Sequence, residues 1–176
     1  RLDESDWQRI AQKRAAWGDT PIYIDDNSSR TIAQIKQHAR NVSRKGKLVA
    51  VVVDYLQLIS APRGSKASRY EVVSDVSREL KLMAKELRVP VIACAQLNRE
   101  GASRSDSRPS ITDLRDSGAI EQDADVVLLL NRPDAYDHTC RPGEVDVIIA
   151  KQRNGPTGRV TLRFNAATYT FTEPNP

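Results

Sequence analysis

The sequence predicts an α/β protein with a mostly parallel sheet, flanked by helices and closed by an antiparallel hairpin. Three observations carry that prediction. Continuous apolar runs too short for helices, residues 48–54 and 89–95 chief among them, read as strands buried on both faces. Amphipathic stretches of helical period separate these runs, so strand and helix alternate along the chain. Toward the C-terminus the period changes to two. Val160, Leu162 and Phe164 alternate with polar residues, and Tyr169 and Phe171 do the same after a four-residue turn, the pattern of a half-buried hairpin.

The elements follow in order. The chain opens without a methionine and enters a helix at once. Ser5 and Gln8 have capping-box spacing, and Trp7, Ile10 and Ala11 begin one apolar face. Residues 21–26 read as a short buried strand ending in two acids. Ser28 or Ser29 is placed to cap a second helix, in which Ile32, Ile35, Ala39 and Val42 recur at helical spacing before Gly46 closes it. Residues 48–54 form the next strand, ending in Asp54. Residues 60–68 are a polar loop rich in breakers, with Arg63, Lys66 and Arg69 able to meet a phosphate backbone. Residues 70–87 give the clearest helix, striped by Val72 or Val73, Val76, Leu80, Met83 and Leu87. Strand 89–95 leads into Gln96, and a second polar loop carries Arg99, Arg104 and Arg108. Ser110 caps a short helical segment, strands follow at 125–130 and 145–150, and a loop holding His138 and Cys140 joins them. The expected organisation is one partial domain over residues 1–172 with a frayed tail at 173–176.

Composition narrows the class. With 176 residues, 39% hydrophobic and 28% charged, the chain suits one domain with an aliphatic core. No stretch approaches the ~18–20 apolar residues of a membrane span, and no signal peptide precedes the first helix. Two cysteines, Cys94 and Cys140, make neither a disulfide framework nor a metal spacing. Cys94 lies in an apolar run and is expected to be a buried thiol, so a reducing, cytosolic setting is favoured. A net charge of +4 permits nucleic acid without demanding it.

The chemistry-bearing residues sit at strand ends, where open α/β sheets bind ligands. Asp54, fixed by its strand, suits one oxygen ligand to Mg2+ on a nucleotide. An ordinary turn aspartate is the competing reading. Gln96 ends the neighbouring strand, and an amide there can contact a terminal phosphate or orient a water. Lys151 and Arg153 follow a later strand and, two apart in extended chain, share a side ahead of the Gly155–Pro156 turn. Paired cations suit a phosphate better than a core, although a solvated charge pair would leave the same trace.

Four stretches, VVVDYLQLI, SRELKLMAKELRVPVIACAQLNR, RPSITDLRDSGAIEQDADVVLLLNRP and AKQRNGPTGRVTLRFN, carry a resemblance. The chain resembles the C-terminal RecA-like motor domain of bacterial replicative DNA helicases of the DnaB type. The resemblance runs from about Ile22 onward in order and spacing. It implies a RecA-like P-loop NTPase core using ATP and Mg2+. Asp54 then resembles the Walker B aspartate, and Gln96 the sensor glutamine. Lys151 and Arg153 look like the lysine and arginine finger that reach a neighbouring subunit's nucleotide. Arg115, Asp116, Ser117 and Gly118 resemble the loop that tracks single-stranded DNA by its backbone, a sequence-tolerant contact. Asp116 would there orient Arg115 or accept from backbone rather than bind phosphate. A homo-hexamer, a primase and a helicase loader are the implied partners.

One departure is large. No Gly-x-x-x-x-Gly-Lys-Ser/Thr occurs, so the phosphate cradle is absent, as is the family's catalytic glutamate. The expectation is the downstream part of a motor domain, truncated on its N-terminal side: an expressed piece, a proteolytic product, or an extein portion of an intein-interrupted gene. Unpaired strand edges and bare apolar surface should follow. The parent would be an ATP-dependent helicase, and the isolated chain would hydrolyse nothing. A non-catalytic module that binds single-stranded DNA or a partner is the alternative, and a RecA-type recombinase or circadian-clock ATPase a weaker one. ATPase assay of the isolated chain separates the first two.

Overall fold

The structure is a computed structural model that describes residues 2–18, 20–98, 108–114, 118–137 and 139–174. Helix α1 spans Glu4–Trp17. Its capping box is Asp3 with Asp6, not Ser5 with Gln8. The Asp6 amide donates to Asp3 Oδ1 at 2.9 Å, and the Asp3 amide donates to Asp6 Oδ2 at 3.2 Å. A carboxylate accepts as well as a hydroxyl and also meets the positive end of the helix dipole, so the acid two residues earlier wins. Ser5 is reduced to donating its hydroxyl to Asp3.

The strand expected at residues 21–26 does not form. The segment faces β1 (Val51–Val53) across a cavity of about 670 Å³ and joins no ladder. Ile24 is 84% exposed. Its acid is spent locally: Asp25 accepts from the Asn27 amide and from Arg30 Nε at 3.0 Å, and His38 Nδ1 lies 3.0 Å from its Oδ2. Main-chain pairing begins at residue 30, where the Ser60 amide donates to the Arg30 carbonyl at 2.9 Å beside a parallel bridge between Thr31 and Ser60. Thr31, not Ser28 or Ser29, then caps helix α2 (Ile32–Lys45) in a box with Gln34, while Asn27 Oδ1 takes the Ser29 amide and hydroxyl into a tight turn.

Strand β1 is shorter than its apolar run, because hydrogen bonding to β2 (Val91–Ala93) sets its length. The two are parallel, with Val51 opposite Val91 and Val53 opposite Ala93. Between them helix α3 (Arg69–Leu87) starts at a Ser68–Glu71 capping box and ends at Arg88 in the left-handed region, φ 55°. Its stripe of Val72, Val73, Val76, Leu80 and Met83 is buried, and Val72, Val76, Leu80 and Met83 pack with Ala39 of α2, Val53 of β1, and Leu56 and Ile59 beyond it. Each such side chain stabilises by about 1.5–3 kcal/mol on burial.

The second half is antiparallel. Helix α4 (Gly118–Asp123) leads into β3 (Val126–Asn131), followed by β4 (Glu144–Gln152), β5 (Gly158–Asn165) and β6 (Thr170–Thr172), in that spatial order. The antiparallel portion is thus four strands rather than a terminal hairpin, and no ladder joins β2 to β3. Val52, Ile92, Leu128 and Leu130 are exposed, Leu130 by 62%. Cys94 is exposed too, so the expected buried thiol is corrected: past Ala93 the chain leaves the ladder before the helices cover it. At the hairpin end Phe164 packs on Phe171, ring centroids 5.0 Å apart. Among the described residues no helix is long and apolar enough to cross a membrane.

One charge network locks β4 to its entry loop. The Asp146 side chain, 2% exposed, takes two hydrogen bonds of 2.8 Å from the Arg141 guanidinium and one of 2.8 Å from the Thr161 hydroxyl of β5. The Arg141 hydrogen bonds, offset in part by burial, hold the Asp146 carboxyl down at about 2. Gly143, at φ 70°, turns the loop so that its amide reaches Asp134 at 3.0 Å. A carboxylate depressed in the folded state stabilises fully above its unfolded value, and that stability is lost as pH falls through the folded one. Asp146→Asn should therefore cost about 2 kcal/mol at pH 7 in denaturant unfolding, with the gap to wild type closing between about pH 4 and pH 2. A gap independent of pH across that window would show that shape, not charge, matters at this position.

Candidate functional site

The parallel pair delivers its polar residues at one edge. β1 ends at Val53, so Asp54 emerges directly from the ladder, exposed, and joined to Tyr55 by a cis peptide. The Cys94 amide donates to the Val53 carbonyl at 2.9 Å, and the Leu56 amide to the Cys94 carbonyl at 3.0 Å, which keeps the two strand exits side by side. Leu56 and Ile59 then turn into the core and anchor the short 3-10 turn over Leu56–Leu58.

Gln57, on that turn, completes the arrangement. Its Nε2 donates to the Gln96 carbonyl and its Oε1 accepts the Gln96 amide, both at 3.2 Å. A side-chain amide thereby bonds the chain three residues past the end of the ladder and fixes the main chain at Gln96. The Gln96 side chain itself enters no hydrogen bond among the described residues, nor does the Asp54 carboxylate. Gln57 was visible in the sequence only as the polar interruption of an apolar run. That interruption was its signal.

The fit to a nucleotide-bound Mg2+ can be judged from these donors. An unpaired carboxylate held at a strand end suits an ion that keeps most of its waters and binds phosphates besides. Among the described residues no cluster of three His, Cys, Asp or Glu forms an all-protein metal cage.

The cations lie on the other sheet. Lys151 is inside β4 rather than after it, and Arg153 opens the turn that follows. Both turn toward the α4–β3 junction, as residues two apart on an extended strand should. Lys151 Nζ donates to the carbonyls of Glu121 and Gln122, the second at 3.3 Å. Arg153 donates its main-chain amide to the Asp125 carbonyl at 2.8 Å, and its Nε lies 3.5 Å from Asp125 Oδ1. Lys81 of α3 holds the other Asp125 oxygen. That hydrogen bond, ahead of the nearby Arg153 and Lys151 charges, lowers the Asp125 carboxyl from its ordinary value, with burial opposing. The turn is tight: a Cβ on Gly155 would stand 2.6 Å from Gln152 Nε2. Asp125 and Lys81 went unnoticed in the sequence because one read as the start of a strand and the other as a solvent-facing helix charge.

The structure therefore gathers Asp54 with Gln96, and Lys151 with Arg153. Among the described residues no hydrogen bond or ion pair joins the two groups. Of the expected DNA loop, Arg115, Asp116 and Ser117 lie outside the described residues, and Gly118 is the exposed first residue of α4. Arg99, Arg104 and His138 also lie outside them, while Arg63, Lys66 and Arg69 are exposed.

Known proteins resemble the chain in sequence and fold. Residues 1–173 match the family described as DnaB-like helicase C terminal domain. The chain is 49% identical over 163 residues to the replicative DNA helicase DnaB of Mycobacterium intracellulare, a match that covers 92% of the chain and 28% of the relative. It is 44% identical to the replicative DNA helicase DnaC of Bacillus subtilis, over 93% of the chain and 36% of the relative. Against these curated relatives the chain spans about a third of their length. Among solved structures, a DnaB-like replicative helicase, solved in a study of its interactions with primase, superposes with a TM-score of 0.89 at 40% identity, over 99% of the chain and 43% of that structure. A second solved structure, described as an ATPase domain, gives 0.91 at 40% identity, over 99% of the chain and 62% of that structure. With a RecA-like α/β fold and a family match over nearly its whole length, the chain belongs to the DnaB-like helicase C-terminal domain family.

Proposed function

We propose that the chain serves as the downstream part of the motor of a hexameric, ATP-driven helicase that unwinds duplex DNA at the replication fork by moving along one strand. One observation carries the reading. The chain presents an acid and an amide at adjoining strand exits, and a separate cation pair on another sheet that among the described residues shares no hydrogen bond or ion pair with them. Such a division suits a site assembled from two subunits. Asp54 would hold Mg2+, whose chemistry is to neutralise charge building on the phosphates. Gln96, its main chain clamped by Gln57, would orient the attacking water or the terminal phosphate. Lys151 and Arg153 would meet the terminal phosphate of ATP bound to the neighbour. Arg115, Asp116 and Gly118 would follow the sugar-phosphate backbone of single-stranded DNA. The setting would be the cytoplasm at the replication fork. A primase, named with one structural neighbour, and a helicase loader would be partners.

The in-trans assignment has a direct test. In a complete helicase ring carrying this sequence, Arg153→Ala should reduce ATP turnover by ~10³-fold or more while leaving ring formation and nucleotide binding intact. Arg153→Lys should not rescue it, since an ammonium lacks the planar fork of donors. Rings mixing Arg153→Ala subunits with subunits dead at the phosphate-binding loop should regain some DNA-independent turnover, because some interfaces then pair an intact loop with an intact arginine. Mixed rings with no recovered turnover would sink the assignment.

For the DNA loop, Arg115→Ala in the same ring should weaken single-stranded DNA binding about equally for all sequences. The slope of log affinity against log salt should fall by roughly one charge. A sequence-selective loss, or none, in titrations at several salt concentrations would mark Arg115 as structural.

A further inference from the structure

We propose that Asp125 is a positioning residue for Arg153, and that Lys81 of α3 sets Asp125 for that task. The inference rests on the reading of Arg153 as the finger, and goes beyond it by assigning what aims the finger.

Three contacts converge on Asp125. Its carbonyl takes the Arg153 amide at 2.8 Å, which pins the main chain where β4 turns away. Its Oδ1 faces Arg153 Nε at 3.5 Å. Its Oδ2 is held by Lys81 Nζ from a different element. The carboxylate thus cannot rotate freely: one oxygen is tied to α3, which leaves the other for the guanidinium.

The geometry on Arg153 is the telling part. Asp125 comes nearest to the guanidinium at Nε, and among the described residues the terminal nitrogens form no hydrogen bond. The side chain is 55% exposed. A guanidinium offers two donor edges, and a phosphate is best met by the terminal fork. On this proposal Asp125 restrains the arginine from its Nε side and leaves the terminal fork, which has no hydrogen bond among the described residues, for the phosphate. An anion that competed for the terminal fork would restrain the finger instead. Lys151 is seated alongside, with its ammonium on the carbonyls that close α4, so both cations take their direction from residues 121–125.

A long side chain waiting in solvent samples many rotamers, and orientation lost before the transition state appears in turnover rather than in ground-state binding. The effect of losing Asp125 should fall on kcat.

The test uses the complete hexameric helicase carrying this sequence. ATP turnover is measured against ATP concentration for wild type, Arg153→Ala, Asp125→Asn, Asp125→Glu and Lys81→Met, with ring assembly and thermal unfolding recorded for each. Asp125→Asn should lower kcat about tenfold with KM for ATP within twofold of wild type. Asp125→Glu should recover most of the loss, and Lys81→Met should lower kcat severalfold. If Arg153→Ala leaves turnover unchanged, the finger reading itself fails. If Arg153→Ala collapses turnover but Asp125→Asn matches wild type, that reading stands and the positioning role is overturned. A rise in kcat on Asp125→Asn would overturn it as well, since Asp125 would then restrain the arginine. A loss that tracks lowered thermal stability, or that glutamate does not mend, would mark Asp125 as structural. Should Asp125→Asn fail to assemble, Lys81→Met decides: unchanged kcat in an intact ring overturns the proposal.

Discussion

The buried stripe of α3 is the surface on which both halves of the site rest. Met83 is 1% exposed, and Val73, Val76 and Leu80 are buried with it. That stripe packs the 3-10 turn carrying Gln57 on one side, and α3 also lies against α4, whose carbonyl end seats Lys151. Close-packed interiors transmit small displacements rather than absorbing them. A void under α3 would therefore reach Gln96 through Leu56 and Gln57, and Arg153 through Lys81 and Asp125. The residues of interest are mostly exposed and joined by single polar contacts. Such contacts are individually weak, so their geometry depends on the apolar platform beneath them.

The parts of this arrangement that were legible in the sequence are those set by local pattern. The α3 stripe, the span of that helix, and the placing of Asp54 and Gln96 at strand exits follow from periodicity and from acids or amides ending apolar runs. What failed depended on a distant partner. Residues 21–26 have a strand's composition, but pairing decides a strand, and a cavity stands where the ladder would be. Cys94 looked buried because its neighbours are apolar, yet apolar neighbours in sequence do not cover a residue in space. Asp3 displaced Ser5 as the cap because several acceptors competed within one turn, a contest settled by fractions of a kcal/mol. Gln57 is bonded to a residue 39 positions away, and Asp125 to residues 28 and 44 positions away, and nothing local announces these partners.

The division of the sheet has a cost of its own. β2 and β3 each lack a ladder toward the other, and Val52, Ile92, Leu128 and Leu130 leave apolar surface open. Unpaired edges and exposed branched side chains favour association with other chains. The two cores nevertheless remain continuous, because Ala95 and Ile120 pack against both. Those two residues flank the site: Ala95 directly precedes Gln96, and Ile120 lies on α4 one residue before the first carbonyl that holds Lys151.

This shared packing bears on how binding at one place can be felt at another. α4 is only six residues long, too short to bend, and follows in sequence directly on Arg115, Asp116 and Ser117. Its closing carbonyls hold Lys151, and Asp125, two residues past its end, holds Arg153. Any displacement of the helix along its axis must move the seats of both cations together, because the Arg153 amide is bonded to the Asp125 carbonyl and cannot lag behind. On the proposed reading, a contact with DNA at one end of α4 and a contact with a neighbour's phosphate at the other are two ends of one rigid element.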